Sequence, residues 1–200
     1  MATDISICSN ALIRLGQTPI SSFTEGENGN TCGTIYPDFV KSVLSSYPWR
    51  FTMDKVQLAR LTAAPVNAYP YQFQLPSDLL ILKAVYNSDS TGVNPIYNYS
   101  KQGSVILSHE LELWIDYQKQ VSESSFPAYF HEFIVTALSS VLAIAVTDQP
   151  ELAQLYDQKA YGTVNDNRNG GLFGQAKKLD ALQYPPEEVV PNDLIAARFS

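Results

Sequence analysis

The sequence predicts an α+β fold: a bundle of about four helices, a small antiparallel β module set into its middle, and an extended C-terminal arm. Three observations carry this. Apolar residues recur at helical spacing from Ile5 to Trp49, and that period returns at Phe126. Between Arg50 and Tyr117 the period shortens to two, most clearly in Tyr69-Pro70-Tyr71-Gln72-Phe73-Gln74-Leu75-Pro76. After Asn165 a run of Asn, Asp and Gly, followed by Pro185, Pro186 and Pro191, favours linker and extended backbone. The boundaries expected are 1–49 and 125–168 for the helical body, 50–120 for the module, and 169–200 for linker and arm.

The elements follow in order. A first helix starts at Thr3 or Asp4, either of which can cap it, and ends at Gly16 before Pro19. Glu25 to Gly33 reads as a loop on its Gly and Asn content. A second helix carries Ile35, Phe39, Val43 and Leu44 on one face, with Pro37 in its first turn and Trp49 as a core anchor beyond its end. Strands are expected within 50–61, 69–76, 79–86, 96–99, 105–107 and 112–117, with a turn at 87–92 and a hairpin at Gly103. The long helix from Phe126 to Val146 is apolar around most of its circumference, as a buried central helix is. Its most apolar part, Phe133 to Val146, is about 14 residues, short of the ~20 that span a bilayer. Asp148-Gln149-Pro150 breaks it, and a further helix runs from Pro150 to Ala160. A short helical piece is expected around Gln175 to Leu182. The expected structural core is Trp49, Phe51, Leu75, Phe130, Leu138 and Leu142.

Composition bounds the function. Charged residues make up 16%, and 13 Lys+Arg stand against 20 Asp+Glu, for a net charge of −7. So acidic a chain is poorly suited to gripping nucleic acid, which takes many phosphate-neutralising cations. The longest basic cluster is Lys177-Lys178. Twelve tyrosines suit surfaces that a partner partly buries. Cys8 and Cys32 are too few for a disulfide framework and read as reduced thiols. The opening Met-Ala-Thr-Asp-Ile-Ser has neither the basic nor the apolar part of a signal peptide, so a protein made in a reducing cytoplasm is expected.

Catalytic sets are weak. His131-Glu132 lies on the long helix without the second His that a zinc-protease helix needs. His109-Glu110 stands where a strand begins, and Glu110 and Glu112 would share one face of it. Two such carboxylates can do acid–base work when their environments differ, but paired Glu on a solvated strand face is the ordinary case. No phosphate loop, nucleophile elbow or dinucleotide fingerprint is present. No catalytic, cofactor or metal site is expected. The tail is apolar for a terminus. Phe173, Leu179, Leu182, Tyr184, Val189, Val190, Leu194, Ile195 and Phe199 either pack back on the chain's own body or form an arm that docks on a partner, and the arm is the reading taken.

Several segments resemble one family in the same order. They are Ala11-Leu12-Ile13-Arg14-Leu15-Gly16-Gln17-Thr18-Pro19-Ile20; Cys32, Tyr36, Val40, Val43 and Leu44 with Pro48-Trp49-Arg50-Phe51; and Tyr71-Gln72-Phe73-Gln74-Leu75-Pro76-Ser77-Asp78. Further on come Phe126-Pro127-Ala128-Tyr129-Phe130 with Ala137-Leu138 and Leu142-Ala143, then Ala176-Lys177-Lys178-Leu179-Asp180. Together they resemble the tail tubular protein A family of short-tailed bacteriophages, the head-to-tail adaptors or gatekeepers. Each motif alone is core or turn chemistry; their order from Ala11 to Asp180 carries the likeness.

The resemblance implies a structural virion protein with no enzymatic activity. It implies a dodecameric ring between the portal protein and the tail nozzle, tubular protein B, with double-stranded DNA passing through the lumen without specific binding. A tail fibre or spike can attach at this level, and the C-terminal segment would anchor to the portal. The chain would be assembled in the host cytoplasm and end in the phage neck, with no membrane span. Other readings are another neck protein, a head-completion or tail-terminator subunit, or an enzyme on glycan or cell wall using Glu110, Glu112 or Glu132.

Overall fold

The computed structural model describes residues 2–63, 65–66, 68–88 and 95–183. Five helices and two small antiparallel sheets make up an α+β fold. The helices are α1 (Asp4–Arg14), α2 (Gly26–Ser45), α3 (Ala128–Thr147), α4 (Pro150–Tyr161) and α5 (Gly171–Ala181). The strands are β1 (Met53–Gln57), β2 (Ala59–Arg60), β3 (Tyr71–Gln74), β4 (Leu79–Tyr86), β5 (Tyr99–Gln102), β6 (Val105–Ser108) and β7 (Trp114–Lys119).

Local chemistry sets most helix ends. Thr3 caps α1 in a reciprocal box with Ser6, and Gly16 takes a φ of +71° in the turn that follows. Asp148 adopts the left-handed region at φ +50° to stop α3, and Pro150 opens α4.

One helix start departs from expectation. Residues 26–33, read as a loop, are the first two turns of α2, and Pro37 stands in mid-helix rather than in the first turn. The glycines serve close packing here, not turning. A Cβ on Gly29 would lie 2.8 Å from the Ser22 carbonyl oxygen, and one on Gly33 would lie 3.1 Å from Phe23 Cβ. The turn at 21–24 therefore presses directly on the helix backbone, a contact that composition does not show.

α3 is the centre of the body, packed by the other four helices. It spans 20 residues, longer than the expected apolar stretch, and is long and apolar enough to cross a bilayer by length and composition alone. Of its most apolar window 61% is buried inside the body, as in a core helix. Its hydroxyls cause no penalty: Thr136, Ser139, Ser140 and Thr147 donate to carbonyls of the preceding turn. Trp49 is fully buried beside it, 4.9 Å from the ring of Phe130 and 5.9 Å from that of Phe173. Phe130, Leu138 and Leu142 are buried in the same core, whereas Phe51 is only partly buried at its edge.

The module has two sheets where one was expected. β1-β7-β4 forms one and β2-β3-β6-β5 the other, all neighbours antiparallel. The chain passes from the first to the second at Leu58, whose N–H bonds the Leu113 carbonyl at 2.8 Å. Leu58, Phe73, Leu75, Val85, Ile106, Leu113 and Ile115 form a separate core. Gly103 turns the β5–β6 hairpin at φ +56°. Tyr97, expected in a strand, is 85% exposed ahead of β5. Gln118 of β7 ties module to body: its amide donates to the carbonyls of Leu44 and Tyr47 at 2.6 and 2.9 Å. It thereby satisfies one of the orphan carbonyls at the end of α2.

Candidate functional site

The carboxylates considered for catalysis do not assemble into a site. Glu110 and Glu112 lie outside β7, in the bend that precedes it, so they share no strand face. Alternation alone placed them on a strand, but pairing with β1 begins only at Trp114. The ring of His109 lies 5.1 Å from that of Tyr69. Glu132 accepts both its hydrogen bonds from Arg14 Nη2, at 2.8 and 2.9 Å, while Arg14 Nη1 donates to Thr136. These residues line a cavity of about 460 Å³ with Tyr156, Lys159 and Gln175. The Tyr156 hydroxyl donates to the Arg14 carbonyl at 2.8 Å. The exposed carboxylate is neutralised by its own cation, a pairing that ties α1 to α3.

Cys8 and Cys32 are both buried free thiols where α1 meets α2. A hydrogen bond shared with Cys32, together with burial, pushes the Cys8 thiol well above its usual range. No group of three or more His, Cys, Asp or Glu that could hold a metal occurs among the described residues.

The predicted arm divides in two. Its first part is body. Gly171–Ala181 is a helix, and Phe173 is 6% exposed, its ring 5.2 Å from Phe133 and 5.8 Å from Tyr161. Phe173 is therefore a core residue and not an arm residue. The glycine-rich stretch before it makes a tight connection: Thr163 and Asp166 cap a short 3-10 turn, and Gly171 takes φ +55° with the Lys159 carbonyl 2.5 Å from where a Cβ would stand. Asp180, fully buried, accepts from the Arg50 N–H and from the Tyr129 hydroxyl. Burial and this carboxylate push the Tyr129 phenol above its usual value. Leu179 and Leu182 remain exposed on α5 and beyond its end. Tyr184, Val189, Val190, Leu194, Ile195 and Phe199 lie outside the described residues.

Val141 and Ile144 of α3 are exposed in a groove with Ala153, Gln154 and Asp157 of α4, and Leu155 is exposed in a separate groove with Asp148 and Glu151. Sequence reasoning missed this face because an all-round apolar helix reads as all-round buried. The signal was there in Val141, Ile144 and Ala145, which recur on one side of the helix. No protein-family model matches the chain, and no curated protein matches it.

Proposed function

We propose that this chain is a structural virion subunit: an adaptor ring joining the portal to the tail nozzle of a short-tailed phage and forming part of its DNA ejection channel. One observation carries the reading. Segments that resemble the adaptor family, far apart in sequence, meet at one joint. Arg50 of the Trp-Arg-Phe exit, Tyr129 of the long-helix start and Asp180 of the closing signature are linked by hydrogen bonds. A shared pattern of family residues is expected to converge where the fold depends on it.

In this reading the chain works by binding and not by chemistry. A net charge of −7 lets a channel wall pass DNA without holding it, since phosphates meet few cations and are repelled. α3 stays inside the helical body. Ring closure sums many modest contacts into a stable connector. The residues after Gln183 carry the portal anchor, because α5 up to Ala181 is committed to the body. Tail fibres or spikes and the nozzle are the further partners, and the virion neck is the final location.

The test is image reconstruction of the chain mixed with the portal protein of its own phage. A twelve-fold ring beneath the portal supports the reading. A chain that ignores the portal, or is absent from the neck of purified particles, overturns it.

A further inference from the structure

Cysteine occurs twice in the 200 residues, once on α1 and once on α2. Nothing in the composition requires the two to meet, yet the fold brings them together. The thiol of Cys8 donates a hydrogen bond to the sulfur of Cys32. Both side chains are fully buried, and both thiols are free. They lie in the helical core with Ile7, Leu12, Tyr36 and Val40. Two thiols alone do not make a structural zinc site, which takes four ligands. No group of three or more His, Cys, Asp or Glu placed to hold a metal includes them among the described residues.

We infer that Cys8 and Cys32 are a disulfide-forming pair, oxidised by a small disulfide such as glutathione disulfide, and that the bond clips α1 to α2. The unfolded chain must close the loop between the two sulfurs before they react. The fold already holds them in contact, so each meets the other at a high effective concentration.

The reaction balances as thiol–disulfide exchange. Cys32 acts first. Accepting a hydrogen bond from Cys8 favours its thiolate, whereas Asp4 and Glu123 oppose a negative charge on Cys8. The Cys32 thiolate attacks one sulfur of the small disulfide, whose S–S bond breaks, and the first thiolate leaves and takes up a proton. Cys8 then gives its proton to solvent, and its sulfur attacks that of Cys32 and displaces the second thiolate. The cysteines lose two electrons and two protons, and the small disulfide becomes two thiols. An oxidant reaches these buried sulfurs while the chain folds or when α1 lifts from its seat, so the clip forms slowly and is shielded from reduction once formed.

The clip stands apart from the connector reading. One consequence rests on that reading: a chain kept reduced in the cytoplasm closes the clip after the particle is released into an oxidising medium.

The test equilibrates the full chain in mixtures of reduced and oxidised glutathione, with and without urea, then blocks the remaining thiols and weighs the intact chain. The expected product is a single chain with both thiols consumed and no glutathione attached. Its equilibrium constant should exceed that of the urea-unfolded chain by about 30-fold or more. By the same cycle, the oxidised chain should unfold at higher urea than the reduced one, and Cys32→Ala should lose this gain. The inference is overturned if the constant is no higher in the folded chain than in urea, if glutathione caps each cysteine separately, or if the bond joins two chains. It is overturned equally by an oxidised chain that unfolds at lower urea than the reduced one, or by a Cys32→Ala chain that keeps the gain. The main readout uses the parent chain and needs no variant to fold. None of these measurements involves the portal. A chain that forms the clip yet ignores the portal removes the connector reading alone, and a portal-bound ring whose subunits resist closure removes this inference alone.

Discussion

The carboxylate of Asp180 accepts the backbone N–H of Arg50 at 3.0 and 3.2 Å, across 130 residues of chain. The same carboxylate holds the Tyr129 hydroxyl at 2.8 Å, so one buried charge fixes α5, the start of α3 and the link into the β module. Asp180→Ala should destabilise the fold by about 2 kcal/mol, because it removes the acceptor of two part-buried donors, the Arg50 N–H and the Tyr129 hydroxyl. Asp180→Asn keeps an acceptor and should cost about 1 kcal/mol. Urea unfolding followed by the fluorescence of Trp49 and Trp114 measures both, and equal stability of all three chains would remove Asp180 from this role.

Phe173→Ala should cost about 3–5 kcal/mol, since it empties space beside Trp49 and Phe133. Leu182→Ala, on a side chain that is 77% exposed, should change stability by less than about 0.5 kcal/mol. The two together separate α5 as part of the body from α5 as part of an arm. If Phe173→Ala left the unfolding midpoint in place, α5 would belong to the arm.

Two glycines should respond unequally to alanine. Gly16 has φ +71° with open space around its missing Cβ, so Gly16→Ala meets backbone strain alone, about 1 kcal/mol. Gly171 has φ +55°, with the Lys159 carbonyl oxygen 2.5 Å and the Gly162 nitrogen 2.8 Å from that position, so Gly171→Ala must also displace the α4–α5 connection and should cost at least twice as much. Thermal unfolding of the two variants gives the comparison directly.

Gln118→Leu should destabilise by about 1 kcal/mol, because it leaves the Leu44 carbonyl without this donor while the Tyr47 carbonyl keeps the Trp49 N–H. Loss of this bond loosens the join between module and body. Faster hydrogen exchange at the end of α2 and along β7 is the expected signature.

Alkaline pH should weaken the fold. Burial, with Glu123 nearby, raises the Tyr36 phenol above its usual value of 10.0, and burial with Asp180 does the same for Tyr129. Both stay protonated in the fold when the unfolded chain ionises. Their stabilising share is therefore complete below pH 10 and is lost as pH rises beyond it, at up to about 1.4 kcal/mol per pH unit for each group. Stability measured between pH 9 and 11 should fall, and Tyr36→Phe should make that slope shallower by about one proton. An unchanged slope would show that Tyr36 ionises equally in both states.

Much of the secondary structure was legible because it depends on nearest neighbours. Thr3 and Ser6 cap α1 whatever lies elsewhere, Asp148-Gln149-Pro150 ends one helix and begins another, and the alternation from Tyr71 to Gln74 can only be a strand facing two environments. Residues 26–33 were not legible, because the same glycines that suit a loop also let Ser22 and Phe23 press against a helix. The carboxylates considered for catalysis had no partners in the sequence, and their surroundings could be judged only after Glu132 was found against Arg14.

The sequence by itself determined the α+β class, the order of helices and strands, the central place of Trp49 and the acidic balance, since each follows from periodicity, local capping or a charge sum. Tertiary structure alone decided that the module has two sheets, that Phe173 and Asp180 bind α5 to the body, and that Val141 and Ile144 face outward from a largely buried helix. Those features depend on groups up to 130 residues apart meeting in space, and a one-dimensional pattern records which groups are present but not which of them share a volume.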